Sequence, residues 1–271
     1  MKRLNRMEAI GFIGNEQDIH QRLDQLKKLY ANTPVSILNT VVDANESNEF
    51  HTVEELVQHS DMIFFGNNAT ANLPLLYHTI KKANRVFIDL QTPFSKSAFL
   101  KCKAYQEEAG SVVTFNINPF LVLNEILPNL SAGNNHVLIH AVSELSDIEN
   151  EIYKYLLFGY ISLDCINIRS HFNIITDEAG QIKMANASLS NLKGRQVNVI
   201  VGNYTKKIAQ IQVFDQQQII EVSTPLKKFF NDSEILKRQL DALYMNQPMA
   251  ELNQGAAVAE LFYKMNDRTK H

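Results

Sequence analysis

The first 115 or so residues alternate short, wholly apolar runs with amphipathic stretches, and that alternation leaves few folds open to the chain. Residues 9–13, 35–42, 62–65, 85–89 and 111–115 read as strands. Their apolar runs are nearly continuous rather than alternating with polar residues, which marks strands buried on both faces. Between them, Ile19, Leu23 and Leu26 stand at spacings of four and three and mark a helix, and residues 52–59 form a second, short one. Asn72-Leu73-Pro74 reads as an N-cap with proline in the first turn of a helix through Ala83, and Ser95 caps another helix that runs to Ala109. The pattern predicts a parallel sheet with helices on both faces.

Past residue 116 the grammar changes. A helix is expected over 119–130, a strand over 137–142 and a helix over 146–158. Strands are then expected over roughly 161–175, 182–191, 196–204, 207–214 and 218–223, and two helices over 232–245 and 253–265. Turn residues such as Lys193-Gly194 and Asp215-Gln216 separate neighbouring strands. The fold class is therefore α/β. A Rossmann-type domain with a parallel sheet spans 1–116. An α/β domain with an open, mostly antiparallel sheet spans 117–271.

Composition narrows the partners. The net charge is −3 with a pI near 6.2, and there is no basic patch of the kind a duplex-binding protein carries, so nucleic acid is not expected. No run of about 18 apolar residues suggests a membrane span, and no secretory signal pattern opens the chain. Cys102 and Cys165 are isolated, which fits a reducing, cytoplasmic setting and offers no metal knuckle. Glycine is scarce, 10 of 271 residues, about 4% against a usual ~7%. Loops that cradle nucleotide phosphates need glycine.

A strand entering a glycine turn and then a helix is the dinucleotide-binding arrangement. Here the stretch is Ile10-Gly11-Phe12-Ile13-Gly14-Asn15-Glu16-Gln17-Asp18-Ile19-His20. In order and spacing it resembles the glucose-fructose oxidoreductase/inositol dehydrogenase (Gfo/Idh/MocA) family, and the resemblance runs over nearly the whole chain. Against that family's G-x-G-x-x-G turn, Gly14 takes the first glycine position, Glu16 the second and Ile19 the third. The second glycine normally lets backbone approach the pyrophosphate. A glutamate there adds bulk and a like charge, with a repulsion of about 1 kcal/mol in water or ~4 kcal/mol at an effective dielectric of 20 for charges 4 Å apart. Asp43, ending the second strand, matches the acidic residue that holds the adenosine ribose. After the third strand, Asn68 replaces the family's proline and Asn72 its histidine, and Asn72 also reads as a helix cap. If a dinucleotide binds, the resemblance implies that Gly11, Gly14, Asn15, Asp43, Asn67 and Asn68 hold it; the cofactor would be NAD or NADP.

The family's catalytic Glu-Lys-Pro motif falls on Gln91-Thr92-Pro93, so Thr92 stands where a lysine is expected. Threonine cannot serve as a general acid at neutral pH. Lys96, three residues past Pro93, reads as a first-turn helix residue. The family's second catalytic feature is a histidine on a helix of the C-terminal domain. Registering on Gly159 puts Glu149 there, and a two-residue slip puts Glu151 there; the alternative is an amphipathic helix whose acidic residues Asp147, Glu149 and Glu151 face outward. His20 falls where the family often carries a histidine after the turn. Asn167, Arg169 and His171 share a strand face and are candidate substrate contacts, or a polar patch at a subunit contact. His136 and His140 also share a face, but no third ligand accompanies them, so no metal is expected.

Phosphate turn, lysine and histidine are thus altered together. The reading favoured by the sequence is a family-like protein without redox catalysis, acting as a binding or scaffolding subunit with no cofactor. The alternative is a divergent NAD(P)-dependent oxidoreductase acting on a sugar, polyol or imine-like molecule. The resemblance implies pairing through the C-terminal sheet, as a homodimer or with an active relative. Val197, Val199, Val201, Ile208, Ile211 and Val213 are expected to supply apolar area for that contact.

Overall fold

A computed structural model describes residues 9–14, 22–39, 52–66, 72–90, 94–116, 136–142, 148–163, 168–203, 208–214, 219–225, 233–247 and 249–267. The chain divides into two compact units. The first comprises Met1–Asn116 with Leu236–Leu252, and the second Ile117–Ile235 with Asn253–His271. The segment 236–252 thus returns to the first unit, whereas the sequence reading grouped it with the C-terminal domain.

The first unit holds a five-stranded, fully parallel sheet of β1 (Ile10–Gly14), β2 (Val35–Asn39), β3 (Met62–Phe65), β4 (Arg85–Ile88) and β5 (Val112–Phe115), in the order β2-β1-β3-β4-β5. Its strands are buried on both faces, as their unbroken apolar runs require. Helices α1 (Asp24–Leu29), α2 (Val53–Gln58), α3 (Leu73–Lys82) and α4 (Lys96–Ala109) lie between them in the chain. Three of these helices open on the capping expected from side-chain chemistry. Thr52 accepts from the Glu55 amide, Asn72 from Leu75 and Ser95 from Ala98.

On one face, Phe12, Phe64 and Phe87 come from adjacent strands in register, with successive ring centroids 5.3 Å apart. They join Leu23 and Leu26 near α1 and Leu236, Leu240 and Leu243 from α6 (Ser233–Tyr244) in one core. Tyr30 fastens α6 to this face, its hydroxyl donating to Asp241 at 2.8 Å. Burial first, then Asp241, hold that phenol protonated far above the usual range. On the other face, Gly11 is required by close approach. A Cβ there would stand 2.5 Å from Ile63 Cδ1 and 2.7 Å from Ser60 Oγ.

The second unit holds a six-stranded mixed sheet of β6 (His136–Val142), β7 (Arg169–Thr176), β8 (Ile182–Ser190), β9 (Gln196–Gly202), β10 (Ile208–Phe214) and β11 (Ile219–Pro225), ordered β11-β10-β6-β9-β8-β7. All neighbours are antiparallel except the central pair β6 and β9. Helix α5 (Ile148–Ser162) packs on β8 and β9, and α7 (Leu252–Asp267) joins it through Tyr153, whose hydroxyl donates to Gly255 O and whose ring meets Phe262 edge-on.

Two sequence expectations are corrected here. Helix α5 runs a full turn past Phe158, and the next strand starts at Arg169, not 161. Gly159 does not stop this helix, because its bare Cα lets the helix sit against Val197 and Leu189. A Cβ would come within 3.1 and 3.2 Å of those side chains. For the same reason Val197, Val199 and Val201 are covered by α5 and are core residues, not interface area. The side chains of Ile208, Ile211 and Val213 lie outside the described ones.

Cys102 is buried in α4, and burial pushes its thiol up to about 12. The thiolate is the reactive form. The native protein is therefore expected to leave Cys102 unlabelled by a thiol-disulfide reagent near neutral pH and to expose it on adding urea; labelling of Cys102 in the native state within minutes would contradict the burial.

Candidate functional site

In an open parallel sheet, ligands collect beyond the C-terminal strand ends, where the strand order reverses. Here that point lies between β1 and β3, at Gly14 and Gly66, whose backbone is tied to β1 by a 2.7 Å bond from Gly66 N to Ile13 O. The loops that leave these ends carry Asn15, Glu16, Ile19, His20, Asn67 and Asn68, and these lie outside the described residues, as do Asp43, Gln91, Thr92, Pro93 and Asn167. Gly14 ends β1 at the reversal point. Gly11 lies inside the strand, where packing against Ile63 and Ser60 accounts for it.

Along the C-terminal edge of the sheet runs a polar network that the sequence reading missed. Arg22, the first described residue after the β1 loop, donates from Nε to Asp89 Oδ2 at 2.8 Å, and its Nη1 donates to Gln25 at 2.9 Å. Asp89 is 1% exposed and Arg22 16%. Asn116, just past β5, donates to Asp89 Oδ1 at 2.7 Å and to Leu90 O at 2.9 Å, and accepts from Leu90 N at 3.1 Å. Gln239 of α6 donates to Asn116 O at 2.8 Å, leaving its own Oε1 buried without a donor. One signal was available. Asp89 closes an otherwise apolar strand, and Arg22 stands four residues before Leu26 on the helix stripe that faces inward.

In the second unit the two carboxylate candidates part company. Glu149 is exposed. Glu151, expected to face outward, is instead 15% exposed and pairs with Lys154, itself 12% exposed, at 3.0 Å. Its other oxygen is buried without a hydrogen-bond partner. The neighbouring Tyr155 is buried, and desolvation, with the Glu151 charge second, pushes its hydroxyl far up. A carboxylate, an ammonium and a phenol on one helical turn are the materials of proton transfer.

Arg169 and His171 are exposed on edge strand β7, so the face-sharing expected of them holds. Among the described residues, no group of three or more His, Cys, Asp or Glu could hold a metal ion, and no helix is long and apolar enough to cross a membrane.

No family model matches the chain, and no curated protein matches it in sequence. Solved structures do match it in fold. The UDP-N-acetylglucosamine 3-dehydrogenase GnnA from Acidithiobacillus ferrooxidans aligns over 96% of each chain with a TM-score of 0.75 at 10% identity. The dehydrogenase MviM from Clostridium difficile aligns over 97% of this chain and 100% of its own, with a TM-score of 0.72 at 10% identity. A myo-inositol dehydrogenase from Corynebacterium glutamicum covers 97% of this chain and 96% of its own, with a TM-score of 0.71 at 12% identity. The chain therefore has the fold of the Gfo/Idh/MocA-type dehydrogenases, carried by a strongly diverged sequence.

Proposed function

We propose that this Gfo/Idh/MocA-like protein does not perform nicotinamide-dependent hydride transfer. It acts in the cytoplasm as a binding or scaffolding subunit, pairing through the open face of its second sheet with a second copy or an active relative. The observation that carries the reading is the engagement of Arg22 by Asp89. A dinucleotide brings a diphosphate to this end of the sheet, and the cation that follows the turn is already neutralised by a buried carboxylate. The sequence adds Glu16 and Ile19 in place of turn glycines and Thr92 in place of the family lysine. The Arg22–Asp89 pair and the sequence of the turn thus both argue against a diphosphate at this end of the sheet.

Titration of the protein with NADH and with NADPH, followed by calorimetry, tests this reading. No heat of binding is expected up to millimolar cofactor, and micromolar binding to the wild type overturns the proposal. The double variant Glu16→Gly/Ile19→Gly is expected to gain measurable binding, because it removes both the charge and the bulk from the turn.

A second reading rests on the Glu151–Lys154 pair with Tyr155. It makes the chain a divergent oxidoreductase that uses NAD or NADP on a sugar, polyol or imine-like molecule. That substrate range is suggested by neighbours named for UDP-N-acetylglucosamine and inositol. In it Asp43 would hold the ribose, Glu151 would stand in for the family histidine, and Asn167, Arg169 and His171 would contact substrate. The same titration separates the two readings.

A further inference from the structure

We infer that the exposed faces of α3 and α4 dock an acidic segment of a partner protein, on Lys81 and Lys101 held over Tyr105 and Tyr77. The face lies wholly within the first unit and does not depend on the pairing proposed above. The two helices pack side by side. Each buries one stripe, Leu76, Thr79 and Ile80 in α3 and Ala98, Phe99 and Cys102 in α4. Tyr77 and Tyr105, both half-buried, meet where the helices join, with ring centroids 5.3 Å apart. Lys81 Nζ stands 4.1 Å from the Tyr105 centroid, and Lys101 Nζ stands 4.8 Å from that of Tyr77 and 6.0 Å from that of Tyr105. Each helix thus draws the other's lysine over its own tyrosine ring.

The charge of this face runs against that of the chain. Together α3 and α4 carry five lysines and two glutamates, in a chain whose net charge is −3. Both glutamates lie at the end of α4, where Glu107 meets Lys103 and Glu108 meets Lys81, each at 3.5 Å. These glutamates are 66% and 64% exposed, so water and salt screen both contacts. Lys101 is held by the rings instead, and among the described residues no carboxylate pairs with it. At the flank, His78 and Lys82 are engaged by Glu54 of α2.

This arrangement suits carboxylates. An ammonium over a ring still directs N–H groups away from it, toward an incoming acceptor. An ordinary exposed lysine must surrender rotamer freedom to meet an anion, and these two have already surrendered part of theirs to the rings. The phenol hydroxyls add neutral donors. Burial first, then Cys102 and Tyr105, hold that of Tyr77 protonated above its usual range. Leu100, 45% exposed and one position before Lys101, offers an apolar contact beside the charge. The ammoniums stand over ring faces on which a nucleobase would have to stack, and this favours an acidic peptide over a nucleic acid.

The test is fluorescence anisotropy of the full chain with a labelled glutamate-rich peptide that carries leucine, against the same peptide with glutamine in place of glutamate. The glutamate peptide is expected to bind about tenfold tighter or more, and to weaken as salt rises. Lys101→Glu is expected to weaken it about tenfold or more. Tyr77→Leu/Tyr105→Leu keeps every lysine and is expected to weaken it severalfold, because nothing then holds the ammoniums in place. Lys27→Glu makes the same charge change at an exposed lysine of α1, outside this pair of helices, and is expected to alter binding less than about twofold. Circular dichroism checks the fold of each variant, and Lys101→Glu decides alone if the tyrosine variant does not fold. Equal binding of the two peptides by the wild type overturns the proposal, as does an equal loss from Lys27→Glu and Lys101→Glu. Tighter binding of a labelled oligothymidylate than of the glutamate peptide overturns the class of partner. Unchanged binding by a folded tyrosine variant overturns the role of the rings. None of these outcomes bears on pairing through the second sheet.

Discussion

Asp89→Ala is expected to destabilise the first unit by about 3 kcal/mol or more, because it strands the Arg22 guanidinium in a buried setting. Asn116 loses an acceptor in the same step, and its hold on the β4 end through Leu90 loosens. The chain has no tryptophan, so urea unfolding is followed by far-ultraviolet circular dichroism. Arg22→Met alone is also expected to destabilise, since among the described residues it leaves the buried carboxylate with Asn116 as its side-chain donor. The double replacement Arg22→Met/Asp89→Leu is expected to recover most of the loss, because buried ion pairs are commonly replaceable by apolar pairs of like volume. A cost under about 1 kcal/mol for Asp89→Ala would mean that the pair is solvated, and it would remove the main support for a neutralised cation at the strand ends.

The second large effect concerns Phe64. Its ring stacks between Phe12 and Phe87, is fully buried, and belongs to the core shared with α1 and α6. Phe64→Ala is expected to cost about 3–5 kcal/mol, combining lost apolar transfer with the cavity left between two rings. Phe64→Leu keeps most of the volume and is expected to cost under about 1.5 kcal/mol. Equal costs for the two variants would show that the core collapses around the gap, contrary to a rigid three-ring ladder.

Much of the first sheet was legible because both-face burial writes unbroken apolar runs, and residues such as Asn72 and Ser95 announce helix starts through local hydrogen bonds. What was not legible depended on contacts far apart in sequence. Gly159 reads as a helix end until Val197 and Leu189 are seen pressing against it. The valines of β9 read as interface until α5 covers them. Glu151 looks solvent-facing on a helical wheel, but its neighbours in space bury one oxygen. The Arg22–Asp89–Asn116–Gln239 network joins residues more than 200 positions apart, and no local pattern encodes such a closure.

The return of segment 236–252 to the first unit bears on how the protein is made. A ribosome that has released only the first 116 residues has delivered five strands, but not Leu236, Leu240 and Leu243, which cover the phenylalanine ladder. Part of that greasy surface stays uncovered until residue 243 has emerged, so the N-terminal sheet cannot complete its core when it is made, although it is synthesised first. During that interval it is a natural client for chaperones.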